Sequence, residues 1–333
     1  MKPDARAREE ATRVRPALPL CEATLPELAG RLEVPRYDRG ALRSAVVHIS
    51  VGSFHRAHQA LYFDDLAQQG ISTDWGITGV GLRRPHMREA LAPQDGLYTV
   101  VSRGAGAAQA RVVGAIRKYL FAPEERDAVL AALASPSTRL VTLTITRAGY
   151  DPIGSDADSA PQILVEALDR RRRAGTPPFT VLSCDNLAEN GPIARAALLE
   201  RAERRDAALA AWLDANGAFP SSMIDRITPR TAPADRDRIE CEFGVADRWP
   251  VVTEPFRQWV IEDEFSAGRP PLDQVGARFV ADVRPYSLLK TRLLNGGHCA
   301  LGHLGVLAGH RRSDEAAADP VFHGMLVGLM DEV

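Results

Sequence analysis

Lysine is almost missing from this sequence. It stands only at Lys2, Lys118 and Lys290, although lysine and arginine together number 41. Arginine therefore serves wherever positive charge alone is needed, and a retained lysine draws attention, because its ammonium can lose a proton where a guanidinium cannot. Cysteine is scarce as well. Cys21, Cys184, Cys241 and Cys299 are widely scattered, with neither a CxxC pair nor an HExxH helix. That argues against a zinc site and, in so large a chain, against a disulfide framework. No apolar run approaches the length of a membrane span, and the opening MKPDARAREEATRVR is too charged for the core of a signal peptide. Nor does one sign of charge prevail: 41 basic residues against 43 acidic ones leave a net charge of -2. Nothing there favours a nucleic-acid partner or an anionic membrane surface. The expectation is a soluble, cytoplasmic, metal-free protein of one large or two ordinary domains, with its oligomeric state left open.

What is present alternates. Residues 1–44 are rich in Arg, Pro and Glu and read as a lead-in packed on the surface, partly helical around 24–31. Ala45 to Val51 form a short apolar run ending at Gly52, and the next segment, HRAHQALYFDDLAQQG, carries Ala57, Leu61, Tyr62 and Leu66 at helical spacing. This is a strand, a tight turn and a helix. Further strands are predicted at 75–80, 97–102, 112–116, 140–146 and 179–184, with helices at 124–133, 162–172 and 192–216. Such alternation predicts an α/β fold, a Rossmann-like, mostly parallel sheet over 45–284. From Pro285 one long helix and a second near Asp319 predict the beginning of a mainly α-helical domain over 285–333.

Two clusters carry candidate chemistry. Gly52, Ser53, Phe54 and Arg56 lie between the first strand and its helix, where backbone N–H groups and a helix N-terminus receive a pyrophosphate and Arg56 could pair with a phosphate. The full G-x-G-x-x-G pattern is absent, with Ser50 at its first glycine, and a plain strand-to-helix turn fits the same residues. His55 and His58 have no third ligand nearby and read as packing and capping residues. In the second cluster, Lys290, Asn295 and His298 fall within a ~140° arc of one helix at about 100° per residue. Leu288, Leu289, Leu293 and Leu294 line much of the rest, which predicts an apolar setting and an easily deprotonated lysine. A snorkelling lysine on an amphipathic helix is the alternative. Tyr286 and Lys290 also spell Y-x-x-x-K, but too far from the first strand to be a short-chain dehydrogenase pair. Asn186, at the end of a buried strand, could donate to a developing alkoxide or simply close an Asx turn.

The segments HISVGSFHRAHQA, TLTITRAGY, FTVLSCDNLAENG, FPSSMIDRITP, WPVVTEPFRQWVIED and PYSLLKTRLLNGGH resemble, in order and spacing, the long-chain polyol dehydrogenases. That family includes mannitol and arabinitol dehydrogenases and the fructuronate and tagaturonate reductases. The resemblance runs from about residue 45 to the end. It implies a Rossmann-like domain, a helical domain, an active site between them and no metal. It implies Lys290 as general base, Asn186 and Asn295 as the pair stabilising an oxyanion, and His298 orienting a polyol or ketose. It sets Gly52, Phe54 and Arg56 under the pyrophosphate of NAD, or of NADP, and Asp225 in the cofactor or active-site wall.

The chain also departs from that pattern. The loop GVGLRRPHMRE lacks the acid that holds the adenosine ribose in many members and offers Arg83 and Arg84 instead. Arg147 and Ser287 stand where acids lining a proton route are usual. The sequence ends at Val333, where members continue for roughly another third of their length, so low activity is expected of the chain alone. Two competing readings are a protein that binds NAD(P) without turnover and a hexuronate reductase.

Overall fold

The structure is a computed structural model, and it describes residues 16–104, 106–151 and 159–332. The charged stretch 1–15 lies outside them. The chain divides into two compact units, Met1–Phe279 and Val280–Val333.

The first unit is organised by a five-stranded parallel sheet. Its strands are β1 (Val46–Ile49), β2 (Ile77–Gly81), β3 (Ile116–Phe121), β4 (Leu140–Leu143) and β5 (Thr180–Ser183), in the spatial order β3-β2-β1-β4-β5. Val46 sits opposite Ile77 on one side and Leu140 on the other, and Leu140 opposite Thr180. Every residue of β1, β2, β4 and β5 is buried, as in a parallel sheet covered on both faces. Successive side chains serve opposite cores. Val47, Ile49, Val141, Leu143 and Val181 pack with Val129, Leu133, Ile163, Leu164 and Leu198 of the helices 122–134, 160–173 and 190–205. Val46, Leu140 and Leu182 pack on the other side with Leu61, Phe63 and Leu66 of Gln59–Gln68 and with Trp259.

Three elements of the first unit differ from the sequence expectation. The strand predicted at 112–116 is two strands, Gln109–Val113 and β3, broken where a Cβ on Gly114 would come within 2.9 Å of Arg39 and Pro35. The helix predicted at 192–216 is two, Asn190–Arg205 and Ala207–Asn216, because Asp206 turns extended and caps the second by accepting from the Ala208 N–H at 2.9 Å. The lead-in is not merely a surface strap. Leu20, Leu28 and Leu32 are buried with Leu97, Val101, Ile239 and Val245, and Leu18–Pro19 pairs in parallel with Val245–Ala246.

The second unit is helical. The long helix predicted from Pro285 is α-helical over Arg284–Leu289 and Gly296–Leu307, with a π-helical segment, Lys290–Asn295, between them. Helices Ser313–Ala318 and Pro320–Glu332 follow. The predicted apolar setting of the first helix is corrected: Leu288 is 50 % exposed and Leu289 62 %. These leucines stand in solvent rather than docking the helix, and Lys290 is half-buried. Among the described residues no helix is long and apolar enough to cross a membrane.

Candidate active site

The strand order reverses between β1 and β4, and ligands of open α/β sheets bind outside the carboxyl ends of the strands at such a point. A cleft of about 750 Å³ lies there. Ser50 and Val51 line it after β1, Gly81 to Arg84 after β2, and Thr144 to Thr146 after β4. Arg230 and Trp249 also contribute. Its volume falls within the range of small-molecule sites.

The turn after β1 has the conformation that a glycine would adopt without cost. Ser50 has φ 74°, in the left-handed region that an L residue occupies under strain. Its N–H donates to the Val80 carbonyl at 2.8 Å and its carbonyl accepts from the Thr144 hydroxyl at 2.9 Å. At Gly52 the backbone is extended, and the nearest atom to an added Cβ would be the Ser50 oxygen, 3.9 Å away. No protein atom requires glycine at that position. The absent side chain leaves open space at the first turn of Ser53–Ala57, which begins without a side-chain cap; Gly52, Ser53 and Phe54 are not among the described residues lining the cleft.

Charge in the cleft also suits an anionic dinucleotide. Arg83, Arg84 and Arg230 are exposed at its lining, while Asp151 is the one carboxylate among its described lining residues. Arg201 donates to the carbonyls of Asp151 at 2.8 Å and Ala197 at 3.0 Å. Tyr119, behind Gly81, keeps its phenol proton, since burial raises it to about 12.

Arg56 is corrected. Its guanidinium is fully buried, donates to the Trp249 carbonyl and lies 5.3 Å from the centre of the Tyr98 ring. It fixes Trp249 in the cleft wall, while its Nε and Nη2 find no hydrogen-bond partner among the described residues. Phe54 stacks on His58 with ring centres 5.0 Å apart, and His58 donates to the Gln258 carbonyl at 2.8 Å. Asp225 closes the strand Ser222–Asp225, opposite Gln258, and is not among the described residues lining the cleft.

Beyond β5, Asn186 is exposed and follows a carboxylate that sequence reasoning passed over. Asp185 accepts from the N–H of Thr146 at 2.7 Å and of Ile145 at 3.3 Å, and from the Tyr150 hydroxyl at 2.7 Å. Burial, then the charge of Asp185, raises the Tyr150 pKa, so the phenol remains the donor. This carboxylate holds Thr146 at φ 63°, a second strained residue on the cleft. Asn190 is buried and bridges the strands: its amide donates to the carbonyls of Asp185 at 3.0 Å and Ser222 at 2.8 Å, and its Oδ1 accepts from the Ser222 N–H. The sequence signal for this group was a row of hydrogen-bonding residues just past apolar strand ends.

The remaining candidates belong to the second unit. Lys290 opens the π-helical segment and Asn295 closes it. With i to i+5 bonding the two stand one turn apart on one face, where an α-helix would separate them by ~140°. The α-helical arc predicted from the sequence is corrected accordingly. His298 is exposed and donates Nδ1–H to the Leu294 carbonyl at 3.1 Å, which leaves Nε2 as an acceptor.

Residues 44–274 match the mannitol dehydrogenase Rossmann domain. Mannitol 2-dehydrogenase of Aspergillus clavatus is 44% identical, over 90% of this chain and 65% of its own length. That of Aspergillus fumigatus is 45% identical over the same shares. Among solved structures, a Pseudomonas fluorescens mannitol 2-dehydrogenase ternary complex with NAD and D-mannitol superposes with a TM-score of 0.86 at 42% identity. The match covers 94% of this chain and 68% of that one. A D-sorbitol dehydrogenase in substrate-free form gives 0.87 at 38% identity, over 92% and 68%. The chain thus spans about 65% of the length of the curated relatives it matches.

Proposed function

The chain belongs to the mannitol dehydrogenase family, and on that premise we propose that it transfers a hydride between NAD(P) and a polyol or its ketose, of the mannitol/fructose or arabinitol/xylulose type, without a metal. The observation that carries the reading is the cleft at the reversal point of the parallel sheet, with Ser50 in left-handed conformation at its floor and open space beside Gly52. Gly52, Ser53 and Phe54 supply the turn for the pyrophosphate, and Arg83 faces the adenosine ribose. Arg56 and Asp225 act from behind, on the wall.

Bound there, the nicotinamide accepts the hydride of the carbinol carbon. In oxidation Lys290 removes the hydroxyl proton, while the amides of Asn186 and Asn295 donate to the developing alkoxide. His298 orients the polyol through its free Nε2. The C–H pair leaves as hydride, the O–H pair closes the carbonyl, and the proton passes from Lys290 to water. A cytoplasmic setting accords with the composition.

The test is steady-state turnover with D-mannitol and D-arabinitol and either nucleotide, with D-fructose in the reverse direction. Nucleotide reduction dependent on the polyol supports the reading. Absence of both turnover and nucleotide binding would reject it.

A further inference from the structure

Under the floor of the cleft lies a chain of hydrogen bonds that ends on the Ser50 carbonyl. His48, in the middle of β1, is fully buried. Its Nδ1 lies 2.8 Å from the Thr142 hydroxyl and its Nε2 3.0 Å from the Thr144 hydroxyl, both on the β4 side of the reversal point. The Thr144 hydroxyl spends its only hydrogen on the Ser50 carbonyl, 2.9 Å away, so His48 must be the donor at Nε2. Burial drives its pKa down to about 3, and a neutral ring with its proton on Nε2 has a bare Nδ1, which accepts from Thr142. The order is Thr142 O–H to His48 Nδ1, His48 Nε2–H to Thr144 Oγ1, and Thr144 O–H to the Ser50 carbonyl. His55 stacks on the same ring, with centres 3.4 Å apart and planes 13° apart, and fixes its orientation.

We propose that His48 is a positioning residue for nucleotide binding: acting through Thr144, it holds the Ser50 peptide in the left-handed conformation that turns the Val51–Gly52 backbone toward the cleft. Two facts carry this. The hydrogen-bond chain ends on the carbonyl of the strained residue itself, and Ser50 and Thr144 both line the cleft. Ser50 lacks the freedom of glycine, so the conformation has to be imposed from outside. The inference rests on the reading that the cleft takes a nicotinamide dinucleotide.

It is tested by calorimetric titration of NAD⁺ into the wild-type chain, His48→Phe, Ser50→Gly and the double variant. His48→Phe keeps the stack but loses the donor, and binding should weaken roughly tenfold, the size of one lost buried hydrogen bond. Glycine adopts the left-handed turn unaided, so in the Ser50→Gly background the same change should cost less than about threefold. Equal losses in both backgrounds would mean that His48 merely supports the fold, and would overturn the proposal. Thr144→Val should match His48→Phe and add nothing to it. Should the phenylalanine variant fail to fold, His48→Gln, which keeps an N–H for Thr144, should bind within about threefold of wild type; a full tenfold loss there contradicts the donor role. Nitrogen NMR of the wild-type histidines reads the tautomer without ligand, and a proton on Nδ1 of His48 would overturn the inference by itself. If the wild-type chain binds no NAD⁺, the dinucleotide reading falls, while the tautomer still tests the hydrogen-bond chain.

Discussion

A lysine and an arginine make different demands on a site, and single substitutions separate them. If Lys290 is the base, Lys290→Ala should lower kcat by roughly 10²–10⁴-fold with nucleotide binding nearly unchanged. Lys290→Arg should do no better, because a guanidinium keeps its proton. Near-normal oxidation by the arginine variant would leave Lys290 a purely electrostatic role. If the adenosine ribose binds beside Arg83 and Arg84, which line the cleft, NADP should bind within about a hundredfold of NAD, ~2.7 kcal/mol. Titration of both nucleotides checks this, and Arg83→Glu should move the balance toward NAD. His48 and His55 make a statement about pH: burial holds the first down to about 3 from 6.5 and the second well below its ordinary value. Below the ordinary value the unfolded chain takes up protons that the folded protein refuses. Stability is therefore full above about pH 6.5 and is lost as the pH falls toward 3, by up to ~1.4 kcal/mol per pH unit for each ring. The urea midpoint should drop between pH 6.5 and about 5, and His48→Phe should flatten the decline; a level midpoint would contradict neutral burial. At this scale the turn between the first strand and its helix was legible from the apolar run that ends at Gly52 and the helical spacing that follows. The inward turn of Arg56 was not, since its partners, Trp249 and Tyr98, are distant in sequence. His48 read only as one more residue of an apolar run.

Between Lys290 and Asn295 the backbone, rather than any side chain, decides what faces what. Removing the exposed Arg292 should let the helix run as α from Arg284 to Leu307, which sets Asn295 four positions after Lys290, about 40° round the same face. The expected result is unchanged helical circular dichroism and nucleotide affinity, with turnover largely retained, because the two side chains still share a face. Lost turnover would show that the π-helical segment serves the chemistry beyond setting Lys290 and Asn295 side by side. Helix periodicity alone could not reveal it, because i to i+4 and i to i+5 bonding leave the same leucine spacing in so short a stretch. The strands of the sheet, by contrast, were legible as apolar runs, since a strand covered on both faces has no polar side. The breaks at Gly114 and Asp206 are set by a close approach and a cap, and hydrophobic spacing records neither.

Across the whole molecule, burial is distributed unevenly. All three hydrophobic cores lie within the first unit. Among the described residues, all the large exposed apolar side chains except Ile227 and Phe256 belong to the second. Val306, Leu307 and Val321 are each at least 70 % exposed, and such clusters promote association. The 333-residue chain should therefore bind a hydrophobic dye and self-associate on dilution series, while residues 1–279 alone should do neither and still bind nucleotide. Equal dye binding by both would contradict this. The pairing of Leu18–Pro19 with Val245–Ala246 has a consequence in time. On the ribosome, at roughly 5–20 residues per second, the first of these segments waits on the order of 10–45 s for its partner to be made. Until then Leu20, Leu28 and Leu32 lack Ile239 and Val245, the last members of their core, so this small core closes after the sheet. The segment 18–32 is thus one that a chaperone or protease meets unpartnered for much of synthesis.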